Sequence, residues 1–181
     1  MNIAVQQRVF AFSSKYEIET PASIYEARKR FFFVWHKIKL FAPHSRLLAT
    51  IRGHYFFRPK YKIELSEGQI YHFSCERFWK GVFVCQNSEE SFRLYQHKGL
   101  NYSIFRNDSQ IAAFSRNRVK LGRTDRYEIR MNSDANLTLV ICMALVVDCG
   151  EIEDDSAGTV TIDLGSLGPE ERQFDKSWQP S

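Results

Sequence analysis

The stretch NLTLVICMALVVDCG, residues 136–150, is the most apolar run in the chain. Between residues 137 and 147 only Thr138 is polar. A helix of this length reaches about 16 Å, whereas a bilayer span needs about 20 residues. We therefore expect no membrane crossing here. The run is either a buried strand or a helix that protein covers on every side.

The composition of the run and the residues at its ends favour the helix. Its β-branched residues would suit a buried strand, but its Leu, Met and Ala residues favour helix. Asp134 and Asn136 are good N-cap residues, and Gly150 is placed to end a helix. Because such a helix has no polar side, we expect a surrounding sheet to bury it.

The first 131 residues carry short alternating segments separated by Gly, Asn, Asp or Ser turns, which is the pattern of β-strands. Alternation in LLATIR places Leu47, Ala49 and Ile51 on one face and Thr50 and Arg52 on the other. We predict twelve strands, at residues 8–12, 16–20, 23–30, 36–41, 47–53, 61–65, 69–75, 82–86, 92–97, 102–106, 110–116 and 127–131.

Several of these segments repeat, with a period of about 22 residues, as strand, turn, strand and basic-aromatic link. KYEIETPASIYEARKRFFF (residues 15–33) and KYKIELSEGQIYHFSCERFW (residues 60–79) show the pattern. Repeats of this length are typical of solenoids and propellers. Twelve antiparallel strands close equally well into a barrel, which has no open edges.

Composition narrows the class of protein. A length of 181 residues suits one domain, and no charged segment followed by an apolar one opens the chain, so we predict a cytoplasmic protein. The four cysteines form no CxxC pair and no zinc-like spacing with His. We expect reduced, mostly buried thiols and no metal site.

Charge is distributed unevenly along the chain. Residues 1–134 hold 23 Lys and Arg against 12 Asp and Glu, whereas residues 135–181 hold 2 against 9. A basic body favours phosphate-bearing partners, and an acidic tail could screen that attraction. A solvated surface of mixed charge is the alternative interpretation.

Three segments resemble the LURP-one-related branch of the tubby C-terminal-like family. FFRPKYKIEL (residues 56–65) resembles its basic strand entry, GLNYSIFRNDSQIAAFSRNRVKLGRTDRYEIRM (residues 99–131) its last hairpin and final strand, and NLTLVICMALVVD (residues 136–148) its core helix. The resemblance covers about residues 6–150. It implies a mainly β fold over residues 1–150: a closed antiparallel barrel of about twelve strands around a central apolar C-terminal α-helix.

The end of the chain has no counterpart in that family. Residues 151–181 are acidic and carry Gly, Ser and Pro. We expect an acidic extension that either adds a strand at residues 159–164 or is mobile.

Little in the sequence points to catalysis. No GxSxG, P-loop, GxGxxG or HExxH motif is present. The five His residues are scattered, and a site that they assemble in space is the less favoured alternative. We predict no enzyme, no catalytic residue and no cofactor. Asp148 opposes the helix dipole, so we expect it to accept hydrogen bonds from backbone at the barrel rim or from an Arg.

Two basic-aromatic links are the best candidates for a binding site. ARKRFFFVWHKIK (residues 27–39) and HYFFRPKYK (residues 54–62) surround aromatic residues with Lys and Arg, a combination that suits phosphate groups and anionic membrane surfaces. Alternatively, the aromatics are hairpin core and the cations cover a solvated face. The candidate lipid- or phosphate-binding residues are Arg28, Arg30, Lys37, Lys39, Arg58, Lys60 and Lys62.

The resemblance also carries a functional expectation. The wider relatives, tubby proteins and phospholipid scramblases, imply contact with phosphoinositide or membrane phospholipid. We predict a non-enzymatic module that binds anionic phospholipid peripherally at a membrane. An intracellular protein-interaction domain, regulated by its acidic tail, is the alternative. Nucleic-acid binding is less favoured, because no helix-turn-helix or ribonucleoprotein signature accompanies the basic charge.

Overall fold

The computed structural model describes residues 1–10, 13–32, 35–54, 58–118, 125–149 and 170–181. These residues form twelve β-strands and one α-helix, with single 3-10 turns at Pro43–Ser45 and Phe78–Lys80. The elements are β1 (Asn2–Phe10), β2 (Ser13–Glu19), β3 (Ile24–Phe32), β4 (Trp35–Phe41), β5 (Leu47–His54), β6 (Lys60–Leu65), β7 (Ile70–Arg77), β8 (Val82–Gln86), β9 (Ser91–His97), β10 (Asn101–Arg106), β11 (Ser109–Arg118), β12 (Asp125–Met131) and α1 (Leu137–Asp148).

The strands form a closed antiparallel barrel. Each strand pairs with its neighbours in sequence, and β1 pairs with β12, setting Ile3 opposite Ile129. Because every described strand has two partners, none of them offers an open edge to another chain. The prediction of twelve strands is confirmed, and the barrel rather than the solenoid or propeller is correct.

Helix α1 runs through the middle of this barrel. Residues 139–148 of the helix are all buried, and residues 139–147 pack into one core with the inward side chains of the strands. The Asn136 side chain caps the helix by accepting a hydrogen bond from the Leu139 amide at 3.1 Å. The apolar run is therefore an enclosed helix, as predicted. None of the described helical residues forms a segment both long and apolar enough to cross a membrane.

Strand residues alternate between core and surface as their sequence pattern predicts. On β4, His36, Ile38 and Leu40 are buried and the residues between them are exposed. Leu47 departs from this pattern, because it was predicted inward and is 40% exposed. The pairing of β4 with β5 slips between Leu40 and Phe41, and a one-residue slip turns a side chain to the opposite face.

A buried polar cluster surrounds the C-terminal end of α1. The Asp148 carboxylate accepts hydrogen bonds from the hydroxyls of Tyr16 and Tyr127. Arg116 and Lys29 place nitrogens 3.6 and 3.9 Å from its oxygens. Burial, reinforced by Asp148, raises the pKa of Tyr16. The expected Arg partner is confirmed, and tyrosine hydroxyls supply the hydrogen bonds that hold this acid at a helix C-terminus.

The end of the chain lies against the outside of the barrel. Residues 170–181 cross the surface from the turn between β7 and β8 to the end of β12, contacting Lys80 and Asn132 on the way. The strand predicted at residues 159–164 lies outside the described residues.

Candidate functional site

The seven predicted site residues lie on the outer surface of one half of the barrel. All are exposed or half-buried. They lie on or just beside three strands, β3, β4 and β6. Strands β3 and β4 are adjacent, and β5, which carries none of the seven, separates β4 from β6. Arg28 and Arg30 lie on β3, Lys37 and Lys39 on β4, Lys60 and Lys62 on β6, and Arg58 just before β6.

Five adjacent strands, β3 to β7, each carry one basic residue at positions that pair directly across the sheet. The pairing sets Arg30 opposite Lys37, Lys37 opposite Arg52, Arg52 opposite Lys62, and Lys62 opposite His72. We call these five residues the basic row. Since neighbouring strands lie about 4.8 Å apart, the row spans about 19 Å. Like charges directly opposite one another destabilise a sheet, so the row concentrates positive potential at a cost to stability.

Two members of the basic row share one carboxylate. Lys62 Nζ lies 2.8 Å from Glu64 Oε1, and Arg52 Nη1 lies 3.5 Å from Glu64 Oε2. The hydrogen bond from Lys62 lowers the pKa of Glu64, so this acid is ionised at neutral pH. Arg30 and Lys37 form no ion pair with any residue that the structure describes. The row therefore keeps a net positive charge.

A cleft of about 360 Å³ opens along the same surface. Trp35 stands at its edge, 59% exposed, with its ring 5.2 Å from that of His54 in an edge-on contact. An exposed Trp beside cations suits an interface between water and lipid headgroups. The cleft is lined by Trp35, Arg52, Gly53, His54, Lys60, Tyr61, Lys62, His72, Phe73 and Ser74.

The floor of the cleft depends on a close approach between β5 and β6. A Cβ atom on Gly53 would lie 2.1 Å from the Lys60 carbonyl oxygen, so no other residue fits without moving the strand. Beneath it, the Tyr61 hydroxyl lies 2.6 Å from His36 Nδ1. Burial, and then the charge of Lys29, lowers the pKa of His36 to about 4. His36 is therefore neutral at neutral pH and adds nothing to the positive field above it.

Among the remaining predicted residues, Arg28 and Lys39 differ in whether they interact with neighbouring side chains. Arg28 hydrogen-bonds to Glu26 and stacks on Phe41, with its guanidinium carbon 5.2 Å from the ring centre. Lys39, directly opposite Arg28, is exposed and has no such partner among the described residues. Arg28 therefore belongs to a local network more than to the basic row.

Arg52, His54, His72 and Trp35 were not among the predicted site residues. Alternation in LLATIR already pointed Arg52 outward, so that signal was present in the sequence. The position of His72 follows only from the register between β6 and β7, which no local pattern reveals.

The described residues offer little for catalysis. No group of three His, Cys, Asp or Glu side chains in this part of the chain is placed to hold a metal ion. Cys85 and Cys149 are buried, and burial raises the pKa of their thiols to about 12 and about 11. Protonated thiols of this kind are poor nucleophiles.

Comparison with known proteins places the chain in one family. No curated protein and no solved structure matches it. The family model for LURP-one-related proteins matches residues 1–148, which include all twelve strands and end at the last residue of α1. The chain therefore belongs to the LURP-one-related family.

Proposed function

We propose that this protein is a non-enzymatic binding module that docks peripherally on anionic phospholipid, including phosphoinositide, at the cytoplasmic face of a membrane. The single observation that supports this most is the basic row, because it sets five basic residues side by side on one exposed surface. The barrel supplies a rigid support on which these side chains hold their spacing.

The chemistry of the row suits phosphate better than carboxylate or neutral ligands. Arg30 and Arg52 offer planar forks that bind two phosphate oxygens at once, and Lys37 and Lys62 offer compact charges. In this binding mode a phosphate near Arg52 and Lys62 replaces the Glu64 carboxylate as their partner. Trp35, at the edge of the cleft, settles at the headgroup level beside the phosphates.

The expected strength is that of a reversible membrane contact. Each Lys or Arg near an anionic leaflet contributes about 1 kcal/mol, so the four Lys and Arg residues of the row supply about 4 kcal/mol before Trp35 is counted. That value falls steeply as salt screens the charges. Binding should therefore require anionic lipid and weaken with ionic strength.

Flotation with liposomes tests the proposal. The wild-type chain should float with vesicles that contain phosphatidylserine or phosphoinositide and not with neutral vesicles. The variant Arg30→Ala/Lys37→Ala/Arg52→Ala should bind at least about tenfold more weakly, since three contributions of about 1 kcal/mol are removed.

A matched control removes the same charge from the other half of the barrel. Arg93, Lys98 and Arg106 lie on or beside β9 and β10 and are exposed or half-buried, so the triple Ala variant there should bind lipid almost as the wild type does. Equal losses of lipid affinity in the two variants would mean that binding depends on the net charge of the protein and not on the basic row. No flotation in low salt with any anionic lipid would reject the proposal, and stronger binding to RNA than to vesicles would favour a nucleic-acid partner instead.

A further inference from the structure

The segment of residues 170–181 makes specific side-chain contacts with the barrel surface from the end of β7 to the turn after β10, away from the basic row. It begins 22 residues after Asp148, and it contacts the barrel through both backbone and side-chain groups. We call it the C-terminal segment. Its first five residues, Glu-Glu-Arg-Gln-Phe, carry the argument.

The two acids of the C-terminal segment bind different kinds of group. Glu170 Oε1 accepts a hydrogen bond from the backbone amide of Lys98 at 2.8 Å. Glu171 lies between two cations, accepting hydrogen bonds from Lys80 Nζ at 2.8 Å and from Arg77. The hydrogen bond from Lys80 lowers the pKa of Glu171. Glu170 is thus bound by a backbone amide and lies 3.8 Å from His97 Nδ1, whereas Glu171 is bound by a pair of side chains.

Arg172 lies over aromatic rings on the outside of the barrel. Its guanidinium carbon is 4.1 Å from the centre of the Phe105 ring and 5.5 Å from that of Tyr95. These two rings and Val82 form a small buried apolar cluster separate from the core around α1. Arg172 also pairs with Asp108 at 3.3 Å. A planar cation is the side chain that can use both rings and a carboxylate.

Phe174 covers a buried polar pair. Its ring centre is 5.0 Å from that of His97, and His97 Nε2 lies 2.7 Å from the Ser103 hydroxyl. Both partners are almost fully buried although they lie on the outward face of β9 and β10. Phe174, two positions after Arg172, therefore has a contact site of its own on the barrel.

These contacts are specific for the order of side chains in residues 170–174. Each of the four side chains meets different chemistry, and the groups that receive them are fixed by the strands and turns of the barrel rather than by the segment. Exposed ion pairs contribute less than about 1 kcal/mol each, so the C-terminal segment is held weakly enough to exchange. Because the segment belongs to the same chain, its binding is intramolecular and its effective concentration exceeds that of a free peptide, which keeps the site filled from within the chain.

We propose that the outer surface of β8–β10, together with Arg77 and Lys80 just before β8 and Asp108 just after β10, is a peptide-recognition site. It binds a partner protein that presents Glu-Glu-Arg-x-Phe, and residues 170–174 occupy it in cis. A partner binds when its segment displaces the tethered one. This inference is independent of the lipid proposal, which rests on the opposite half of the barrel.

Fluorescence anisotropy with a labelled peptide of residues 168–181 tests the inference. The receptor is the full chain carrying Arg172→Ala/Phe174→Ala, whose own segment has lost two of its four anchors. The peptide should bind this receptor at least about tenfold more tightly than it binds the wild type, whose site is filled. A scrambled peptide of the same composition should not bind.

Two further receptors make the outcome decisive. Adding Arg77→Glu/Lys80→Glu to the vacated receptor should weaken peptide binding at least about tenfold, because Glu171 of the peptide then faces acids. If circular dichroism shows that the vacated receptor is not folded, Glu171→Lys, which alters one side chain on the surface, replaces it. Absence of saturable binding to a folded vacated receptor, or equal binding of the scrambled peptide or of the wild type, would overturn the inference.

Discussion

Strands β3–β7 and strands β8–β10 show the same alternation of inward and outward side chains, but the outward side chains of the two groups differ in chemistry. Outward positions on β3–β7 carry cations at facing positions and leave a cleft open beside Trp35. Outward positions on β8–β10 carry an apolar cluster and a buried His, and the C-terminal segment covers them. The inward positions are apolar on both halves.

This difference shows where specificity resides in such a fold. The core fixes which residues point outward but places no demand on their chemistry. A surface of repelling cations stays open to solvent and to anions. A surface with apolar rings needs a cover, and here the chain itself supplies one.

The strongest way to break the comparison is to damage the core that both halves share. Val146→Asp places a charge where the side chain is fully buried, which should destabilise the protein by more than about 4 kcal/mol and abolish lipid and peptide binding together. Thermal unfolding followed by circular dichroism measures this effect.

Thr138→Asp in the same helix is the control. Thr138 is half-buried in the first turn, where an acid interacts favourably with the helix dipole. A folded Val146→Asp protein that kept either surface would contradict a single shared core.

Acid should act differently on the two halves through their buried His residues. Burial lowers the pKa of His36 to about 4 from an ordinary value of 6.5, so the unfolded chain binds the proton first. Stability is then intact above about pH 6.5 and falls as the pH drops towards 4, by at most about 3 kcal/mol. Urea unfolding at a series of pH values should show a smaller fall in His36→Gln.

His97 supplies the corresponding comparison on the covered half. Burial lowers its pKa too, but Glu170, 3.8 Å away, opposes the shift. Glu170→Gln should therefore lower the pKa of His97 further and leave that of His36 unchanged in an NMR titration. Movement of both, or of neither, would show that the C-terminal segment does not contact His97 as described.

A smaller effect isolates the stacking of Arg172. Arg172→Lys keeps the charge near Asp108 but loses the planar contact with Phe105 and Tyr95, which should loosen the C-terminal segment by about 1 kcal/mol. Hydrogen exchange at the Lys98 amide, which donates to Glu170, should then quicken about fivefold. Arg106→Lys, in an ion pair with Asp134, is the control. Weaker flotation of Arg172→Lys with liposomes would mean that the two halves are coupled.

The smallest expected effect concerns the acid within the basic row. Glu64→Gln frees Lys62 and Arg52 from their shared carboxylate and should raise affinity for anionic vesicles about two- to fivefold. Glu67→Gln, an exposed site in the turn after β6, removes the same charge away from the row. Equal gains in the two variants would indicate net charge alone, and a loss in Glu64→Gln would mean that Glu64 positions the cations rather than competing with phosphate.

Sequence patterns predicted those features that depend on local periodicity. The enclosed helix, the twelve strands and the outward direction of Arg52 all follow from such patterns. The strand predicted at residues 8–12 instead spans Asn2–Phe10, because its pairing with β12 joins residues more than 100 positions apart. No local signal reports a partner that distant.

The sites were less predictable for the same reason. Six of the seven predicted cations lie on β3, β4 and β6, but Arg52 and His72 join them only through register across the sheet. The contact of Arg172 with Phe105 likewise joins residues distant in sequence. A one-dimensional pattern shows which face a residue takes, and only the sheet shows what stands beside it.

The position of α1 after all twelve strands has a consequence for biosynthesis. The ribosome synthesises the twelve strands first and the central helix last. The nascent strands therefore have no helix to pack around until residue 148 has left the exit tunnel. Their apolar sides then stay exposed for most of translation, which favours aggregation and a need for chaperones. We expect folding to complete in one late step, and chains that stop before residue 137 to be cleared rather than stored.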